Sequence, residues 1–180
     1  MFTRRVDEGL ELELLHDRLA EPLFRSVDQC RAYLGAWLSW VDQTDIVADT
    51  REFIRQSGFA FSEGRALRCA IRYEGVICGS VSLEAIDRAN DSADVGYWLD
   101  ERYQGRGIVT RCVTELSRLA FEDLGLHRLT IRAATGNAKS AAIPERLGWT
   151  FEGVLREQEA LRGERLDMRL YSLLRGEFAG

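Results

Sequence analysis

The sequence predicts an α+β domain in which helices flank a mixed, mostly antiparallel central sheet. Residues 67–99 contain three short runs of strand type separated by turns, which is typical of an antiparallel meander. Residues 107–124 then carry apolar side chains at three- and four-residue steps, the pattern of a buried helix face. A strand, a helix and a hairpin follow. We therefore expect one domain that spans residues 1–180.

Before the meander, the chain is predicted to form one strand and then helices. Leu10–Leu15 alternates apolar and charged residues, which is the pattern of a strand. A helix is expected over Asp17–Val27, with Pro22 either breaking it or starting its second part. Asp28 is the expected N-cap of the next helix, Gln29–Trp40.

A third helix is expected to begin at Thr50, its predicted N-cap, and to end near Ser62. Phe53, Ile54 and Phe59 are expected to face inward from it. The first third of the chain is therefore predicted to be largely helical.

The middle of the chain is predicted to be the three-stranded meander. Leu67–Tyr73 alternates, Glu74-Gly75 forms a tight turn, and Val76–Leu83 returns. Gly79 interrupts this second strand, where we expect a bulge or a close approach of another backbone. Ala93–Leu99, an apolar and aromatic run, is the third strand.

A glycine turn joins this third strand to the next helix. Arg102, Gly105 and Gly107 form the pattern R-x-x-G-x-G. The backbone can approach a ligand closely at glycines, and the unpaired N–H groups of a helix start favour a pyrophosphate. A nucleotide P-loop is excluded because no Lys follows Gly107, and a dinucleotide fingerprint lacks its third glycine at Thr110. The helix is expected to end at Gly125.

The last third of the chain is predicted to add a strand, a helix and a hairpin. Leu126–Ala133 is the strand, and Asn137 is the expected N-cap of the helix. Pro144 falls inside that helix and has no N–H, so the carbonyl of Ser140 loses its helical partner and we expect a kink. Arg162-Gly163-Glu164 turns the final hairpin.

These motifs resemble those of a known family. R-x-x-G-x-G after an aromatic strand resembles motif A of the GNAT acetyltransferases, which bind acetyl-coenzyme A, and Asn137, Ser140 and the later E-R-L-G-W resemble motif B. The runs Gly96–Glu101 and Gln104–Gly107 are similar to one branch, the RimJ/RimL-type N-acetyltransferases, which act on N-terminal amines of ribosomal proteins. The resemblance is most specific over residues 94–153. It implies the GNAT fold and an acetyl-CoA-dependent N-acetyltransferase.

The resemblance implies that acetyl-CoA lies on the glycine turn and reaches the helix begun at Asn137. Contacts are expected from Trp98, Leu99, Arg102, Gln104, Gly105, Arg106, Gly107, Ile108, Val109, Thr110, Asn137 and Ser140. Among them, Arg102 and Arg106 either approach phosphates or are only solvated. No metal is expected, because four cysteines and two histidines show no metal-ligand spacing.

The implied reaction transfers acetyl from a thioester to a neutral amine, which a general base assists. Glu101 is the first candidate, because it follows the strand toward which the thioester should point and the resemblance places a catalytic Glu there; the alternative is a solvated loop carboxylate. Asp94 is a weaker candidate. Ser140 is the candidate that protonates the departing thiolate, the alternative being a Ser bonded only to backbone. The resemblance also implies an oxyanion contact from a backbone N–H near Leu99.

The composition of the chain limits the classes of molecule that it is expected to bind. A net charge of −5 and an isoelectric point near 5.2 argue against nucleic acid and favour cationic partners such as amines. No signal peptide or membrane-spanning apolar run is found, so no membrane contact and a cytoplasmic location are expected. Trp37 and Trp40 either line an acceptor cleft or pack in the core. The oligomeric state, including a homodimer, stays open.

The acceptor is the least defined partner. The branch resemblance implies the N-terminal amine of a protein, and a ribosomal protein in particular. A second interpretation keeps the chemistry but takes a small amine: a polyamine, an amino acid or an antibiotic. A third is a CoA-binding module without turnover, against which Glu101 and Ser140 argue.

Overall fold

The core of the molecule is one eight-stranded sheet. The computed structural model describes residues 2–178. The strands are β1 (Thr3–Asp7), β2 (Leu10–Leu14), β3 (Leu67–Tyr73), β4 (Val76–Asp87), β5 (Ser92–Leu99), β6 (Arg128–Ala134), β7 (Thr150–Leu161) and β8 (Glu164–Leu174). Their order is β1-β2-β3-β4-β5-β6-β8-β7, and within the described residues only β5 and β6 pair in parallel. The predicted mixed, mostly antiparallel sheet is confirmed.

Helices cover both faces of this sheet. They are α1 (Ala20–Gln29), α2 (Arg31–Gly35), α3 (Val47–Ser62), α4 (Ile108–Arg118), which continues as a π-helical turn, and α5 (Ala138–Arg146). The larger core joins α4, through Leu116, to Cys69 and Ile71 of β3. Ala70 points the other way, because successive strand residues alternate, and packs with Leu23 of α1 in a second core. None of the helices in residues 2–178 is both long and apolar enough to cross a membrane.

The two parallel strands separate along their length, and this separation creates an opening in the sheet. β5 and β6 pair only over Ser92–Asp94, opposite Arg128–Thr130. β5 nevertheless stays paired with β4 as far as Leu99. Beyond Asp94 the edge of β5 that faces β6 therefore has no strand partner among residues 2–178 and is open to a ligand.

Gly79 of β4 meets both expectations drawn from the sequence. The register between β3 and β4 shifts next to it, after the pair of Ile71 with Gly79. A Cβ on Gly79 would overlap the carbonyl oxygen of Trp98 in β5. Only glycine allows β5 to approach this closely, which fixes the end of β5 that leads into the glycine turn.

β1 is not predicted from the sequence, because Thr3–Asp7 contains a single apolar residue, Val6, and shows no alternation. Ion pairs tie this edge strand to the region of α4 instead. Arg4 Nε lies 2.5 Å from Glu115 Oε1, and Arg4 Nη1 lies 2.5 Å from Asp123 Oδ2. Charged side chains of this kind also protect a sheet edge from pairing with other chains.

The expected helix over residues 29–40 is wrong. α1 continues through Asp28, which is therefore no N-cap and instead accepts hydrogen bonds from Arg31 at 3.1 and 3.3 Å. α2 ends well before Trp40, which lies in a 3₁₀ turn. Arg31 also donates to the carbonyl oxygens of Val41 at 2.9 Å and Thr44 at 2.7 Å. These bonds fold the segment that follows α2 back toward Arg31. Helical periodicity in the sequence does not predict such contacts between separated residues.

The start of α3 also differs from the expectation. Thr50 lies inside the helix and is buried. Asp49 acts at the N-terminus, where its carboxylate accepts backbone N–H groups three and four residues earlier at 2.9 Å each. Ile54 faces inward as predicted, but Phe53 and Phe59 are 43% and 56% exposed. Each of these two rings is covered by an arginine guanidinium instead of the core.

Candidate active site

The opening between β5 and β6 forms a cavity of about 870 Å³. It is enclosed by the start of α4, by α5, by α2 and the segment after it, and by the β7–β8 hairpin. Ten of the sequence-predicted cofactor contacts line it: Trp98, Leu99, Gln104, Gly105, Gly107, Ile108, Val109, Thr110, Asn137 and Ser140. The fold thus brings two motifs that are separated in sequence to one cavity.

The glycine turn presents bare backbone to this cavity. Gly105 and Gly107 have φ of 74° and 69°, in the left-handed region that favours glycine. Gly107 is the N-cap of α4, so the first N–H groups of that helix have no intrahelical acceptor. Apart from the glycine itself and its two neighbours in the chain, no atom of residues 2–178 would lie within 4 Å of a Cβ at either position. The space over the turn therefore fits a phosphate group, which helix N–H groups bind favourably.

Basic side chains surround this end of the cavity, although the chain as a whole is acidic. Arg111, Lys139 and Arg146 line it. Arg146 Nη1 donates to Thr110 Oγ1 at 3.0 Å, and Lys139 Nζ donates to Gln104 Oε1 at 2.9 Å. These bonds hold positive charge beside the glycine turn, which suits an anionic cofactor.

Arg102 and Arg106 are absent from the cavity lining. Arg102 forms an ion pair with Asp100, whose carboxylate is fully buried and needs a counter-charge. The Arg106 guanidinium lies over the rings of Tyr73 and Tyr103, 5.9 and 5.5 Å from their centroids. Both groups thus have protein partners, and their contacts with phosphates stay predictions.

The start of α5 places Ser140 at the cavity. Asn137 Oδ1 accepts the backbone N–H of Ser140 at 3.1 Å, which confirms the predicted N-cap. Ser140 Oγ donates to the hydroxyl of Tyr97 at 3.3 Å. Pro144 lies inside α5, yet the helix continues past it. The Tyr97 hydroxyl donates to the Ser140 carbonyl oxygen at 3.0 Å and so replaces the missing amide.

The two carboxylates named as base candidates lie outside the cavity lining. Glu101 is exposed, in a 3₁₀ turn directly after β5. Asp94 has partners on β6: it accepts from the Thr130 hydroxyl and lies 2.6 Å from Arg132 Nη2. A catalytic role for Glu101 stays a prediction to which the shape of the cavity adds no support.

Glu159 is the acidic residue that the cavity lining does contain, and sequence patterns miss it. It lies on β7 opposite Leu166 of β8, and both line the cavity. The register of this hairpin shifts between Leu155 and Glu159, and Glu157 within the shift has φ of 50°. The face on which Glu159 lies depends on that shift. The only signal in the sequence is the loss of apolar alternation over R-E-Q-E.

Aromatic rings form another wall of the cavity. Tyr33, Trp37 and Trp98 line it, and a Cβ on Gly136 would meet the Trp37 ring at 3.5 Å. Trp40 is outside the lining, with its ring 6.0 Å from that of Trp98. Of the two tryptophans considered from the sequence, Trp37 lies in the cleft, and Trp40 lies outside it, beside Trp98 and 36% exposed.

A backbone donor also faces the opening. The N–H of Asp100 donates to the carbonyl oxygen of Cys78 in β4 at 2.8 Å. Successive N–H groups of a strand point to opposite edges, so the N–H of Leu99 points to the open edge of β5. A donor held there can stabilise an oxyanion. Within residues 2–178, no group of three His, Cys, Asp or Glu side chains is placed to hold a metal.

Comparisons with known sequences agree with this geometry. The family model for the acetyltransferase (GNAT) domain matches residues 10–150. YdaF of Bacillus subtilis (strain 168), provisionally named a ribosomal N-acetyltransferase, is 36% identical over 100% of this chain and 99% of its own length. The ribosomal-protein-serine acetyltransferase of Escherichia coli (strain K12) is 29% identical over 94% of this chain and 95% of its own.

Solved structures give the same result. The microcin C7 self-immunity acetyltransferase MccE, in complex with acetyl-CoA and AMP, has a TM-score of 0.90 and 34% identity over 94% of each chain. RimL, a ribosomal alpha-N-protein acetyltransferase in complex with coenzyme A, has a TM-score of 0.93 and 26% identity, over 96% of this chain and 98% of its own. This chain is therefore a member of the GNAT acetyltransferase family, with the fold of that family.

Proposed function

We propose that this chain is an acetyl-CoA-dependent N-acetyltransferase whose acceptor is the N-terminal amine of a protein, with a ribosomal protein as substrate. The observation that carries the proposal is a single cavity lined by Gly105 and Gly107 as well as by Ser140 and Glu159. It offers a phosphate site and proton-transfer groups in one space. The similarity to YdaF and to the E. coli ribosomal-protein-serine acetyltransferase, along almost the whole chain, supports a ribosomal acceptor.

Several groups of the chain suit acetyl-CoA. The free N–H groups at Gly107 and the first turn of α4 suit the pyrophosphate, and Lys139 and Arg146 add positive charge beside it. The unpaired edge of β5 beyond Asp94 suits the amides of the pantetheine arm. When bound, acetyl-CoA supplies an activated acetyl thioester; every other requirement of the reaction falls to side chains and backbone of this chain.

We assign the proton transfers to two side chains. An α-amine has a pKa near 7.7–8.0, so most of it is protonated at neutral pH and a base assists its attack. Glu159 is our candidate for that base, because it is the acidic residue of the cavity lining; Glu101 is the alternative from the sequence. Ser140 Oγ is the candidate donor to the departing thiolate, whose conjugate acid has a pKa near 8.5. The Leu99 N–H suits the developing oxyanion.

A transfer assay tests the acceptor. Purified protein and acetyl-CoA are mixed with peptides that carry ribosomal-protein N-termini and, separately, with a polyamine, free amino acids and an amine antibiotic. Release of the free thiol gives the rate, and mass spectrometry gives the modified atom. We expect acetylation of the peptide α-amine and none of the same peptide with a blocked N-terminus. Turnover of small amines alone would contradict the protein acceptor, and cofactor binding without any turnover would indicate a non-catalytic module.

A second candidate acceptor is a small amine linked to a planar group. The wall formed by Tyr33, Trp37 and Trp98 favours it, since aromatic rings stack on planar ligands. MccE, which is 34% identical, was solved with AMP as well as acetyl-CoA. A stable amino acid–AMP conjugate added to the panel tests it. Trp37→Ala should raise KM for such a conjugate and leave KM for a peptide without aromatic residues unchanged.

Three further properties accompany the proposal. One continuous sheet built from both halves of the chain supports a single domain over residues 1–180. A cytoplasmic location and a homodimer stay predictions. Cell fractionation and light scattering of the purified protein test them.

A further inference from the structure

A backbone carbonyl next to the proposed acid lacks its usual partner. In an α-helix the carbonyl of residue i accepts the N–H of residue i+4. For Ser140 that position is Pro144, which has no N–H. Pro144 is buried, and an unpaired carbonyl in such surroundings costs free energy. The sequence thus leaves the Ser140 carbonyl oxygen without its helical hydrogen-bond donor, and Ser140 is the residue whose hydroxyl lies at the cavity.

One hydroxyl group supplies the missing hydrogen bond and also contacts the Ser140 side chain. Tyr97, on β5, donates to the carbonyl oxygen of Ser140 at 3.0 Å. The same Tyr97 oxygen accepts from Ser140 Oγ at 3.3 Å. The backbone and the side chain of Ser140 are therefore held by a single atom of the opposite cavity wall. Two contacts to one group restrict the Ser140 rotamer more than either contact alone.

The chemistry of Tyr97 suits a fixed support. A phenol has one proton, and here that proton goes to the Ser140 carbonyl, so it is not free for a thiolate. Burial raises the pKa of Tyr97 to about 12. The hydroxyl therefore keeps its proton over the whole working range of an amine acetyltransferase. The long contact from Ser140 Oγ leaves the serine proton able to turn toward the cavity.

We propose that Tyr97 is a positioning residue, whose hydroxyl takes the place of the amide proton that Pro144 cannot supply and so holds Ser140 Oγ toward the thioester sulfur. This inference rests on the proposed role of Ser140 as the donor to the leaving thiolate. It links two residues that no short motif connects, Tyr97 on β5 and Pro144 on α5. In the proposed chemistry the Tyr97 hydroxyl and the Pro144 ring act through Ser140 and touch neither substrate.

A double-mutant cycle tests the proposal. Tyr97→Phe removes the hydroxyl, Pro144→Ala restores an amide for the Ser140 carbonyl, and the double variant combines both. We expect Tyr97→Phe to lower kcat about 10-fold, the lower part of the range for a misplaced acid, with KM for acetyl-CoA unchanged. In the Pro144→Ala background the same change should lower kcat less than about 3-fold, because the helix then holds Ser140. Tyr73→Phe, outside the cavity, is the control for loss of a tyrosine hydroxyl.

The outcomes separate this inference from the proposed function. Equal kcat losses from Tyr97→Phe in both backgrounds, or no loss in either, would overturn it. Urea unfolding of all four proteins reports the contact itself: the midpoint should fall in Tyr97→Phe and fall less when Ala occupies position 144. A normal deficit in Ser140→Ala with full activity in Tyr97→Phe defeats this inference alone. Full activity in Ser140→Ala defeats this inference and the proposed acid role of Ser140, while the proposed acetyltransferase function stands.

Discussion

The cavity has two ends that are built in different ways. At the proposed cofactor end, most lining residues come from one contiguous stretch, Leu99–Thr110, and the groups proposed to bind phosphate are backbone N–H groups of the glycine turn. At the proposed acceptor end, the lining residues Trp37 after α2, Arg132 of β6 and Glu159 of β7 come from distant parts of the chain. The first end depends on local backbone conformation, and the second depends on how strands pair.

This difference sets what substitutions should do. A change at the glycine turn should alter affinity for coenzyme A and leave the acceptor steps alone. A change on the β7–β8 hairpin should alter acceptor turnover and leave coenzyme A affinity alone. A change at Ser140, on α5 between the two ends, should lower turnover and leave the affinities for coenzyme A and for the acceptor unchanged. The four predictions below test this separation.

The largest effect is expected at Glu159. Glu159→Gln keeps the size of the side chain and removes the proton acceptor, so kcat/KM for an α-amine should fall about 10³-fold near pH 7. At about pH 9 the amine is mostly neutral, since its pKa is near 7.7–8.0, and part of the deficit should be recovered. The measurement is kcat/KM against pH with one peptide acceptor, and coenzyme A affinity should not change.

Glu101→Gln is the matched control for this experiment. Glu101 and Glu159 are both exposed, but only Glu159 lines the cavity, so the Glu101 variant should track the wild-type profile. The opposite pattern, a pH-dependent deficit in Glu101→Gln and none in Glu159→Gln, would assign the base to the glutamate predicted from the sequence. It would also move the acceptor amine from the hairpin to the end of β5.

The next effect is expected at Ser140. Ser140→Ala should lower kcat about 10²-fold, the usual scale for a positioned acid. The Asn137 cap bonds the backbone N–H of Ser140, not its hydroxyl, so the fold of α5 and the affinity for acetyl-CoA should persist. Turnover equal to the wild type would remove Ser140 from the mechanism.

Particular residues explain why the sequence predicts one end of the cavity better than the other. The turn at Gly107 and the helix cap at Asn137 are predicted correctly because each answers a local requirement, and the close approach predicted at Gly79 is made by the backbone of β5. The sequence does not predict Glu159 as a site residue, because a register shift in the hairpin decides which face of the sheet it lies on. Thr50 is misread as a cap because α3 begins three residues earlier, at Val47, where the Asp49 carboxylate bonds the preceding backbone N–H groups.

The general fold could also be predicted from the sequence wherever the local hydrophobic pattern is strong. Alternation and helical periodicity over residues 67–134 are strong, and the strands and helix there agree with them. β1 is held by charge pairs such as Arg4 with Glu115, which periodicity does not count. The segment after α1 is folded by Arg31 bonds to distant carbonyls. Where long-range polar contacts decide the structure, single-sequence patterns fail.

A smaller effect, confined to the cofactor end, is expected at the glycine turn. Gly107→Val places a side chain over the turn and strains a backbone with φ of 69°. The dissociation constant for coenzyme A should rise about 30-fold, the scale of one lost hydrogen bond to a charged group. Gly64→Val is the control, because Gly64 has φ of 68°, open space around its Cβ and no part in the cavity. Calorimetry that gives equal affinities for both variants would separate the turn from the cofactor site.

The smallest effect is expected where the hairpin tip meets the segment after α2. Arg162 Nε and Nη2 donate to the Asp42 carboxylate at 2.9 and 2.7 Å. This pair links two segments that each contribute acceptor-end residues to the cavity, Trp37 on one side and Glu159 on the other. Both side chains are exposed, so the pair contributes little and salt screens it.

Arg162→Gln should therefore raise KM for the peptide acceptor only about 2-fold at low salt, with kcat and coenzyme A affinity unchanged. The hydrogen bonds from Arg162 lower the pKa of Asp42, so the pair is intact above the ordinary Asp pKa and is lost only as pH falls through the lowered value. The 2-fold effect should accordingly be constant over about pH 6–9 and vanish in high salt. Arg65→Gln, which breaks an exposed pair with Glu63 outside the cavity, should change nothing. An altered coenzyme A affinity in Arg162→Gln would show that the hairpin reaches the cofactor end, and the two ends would then be coupled.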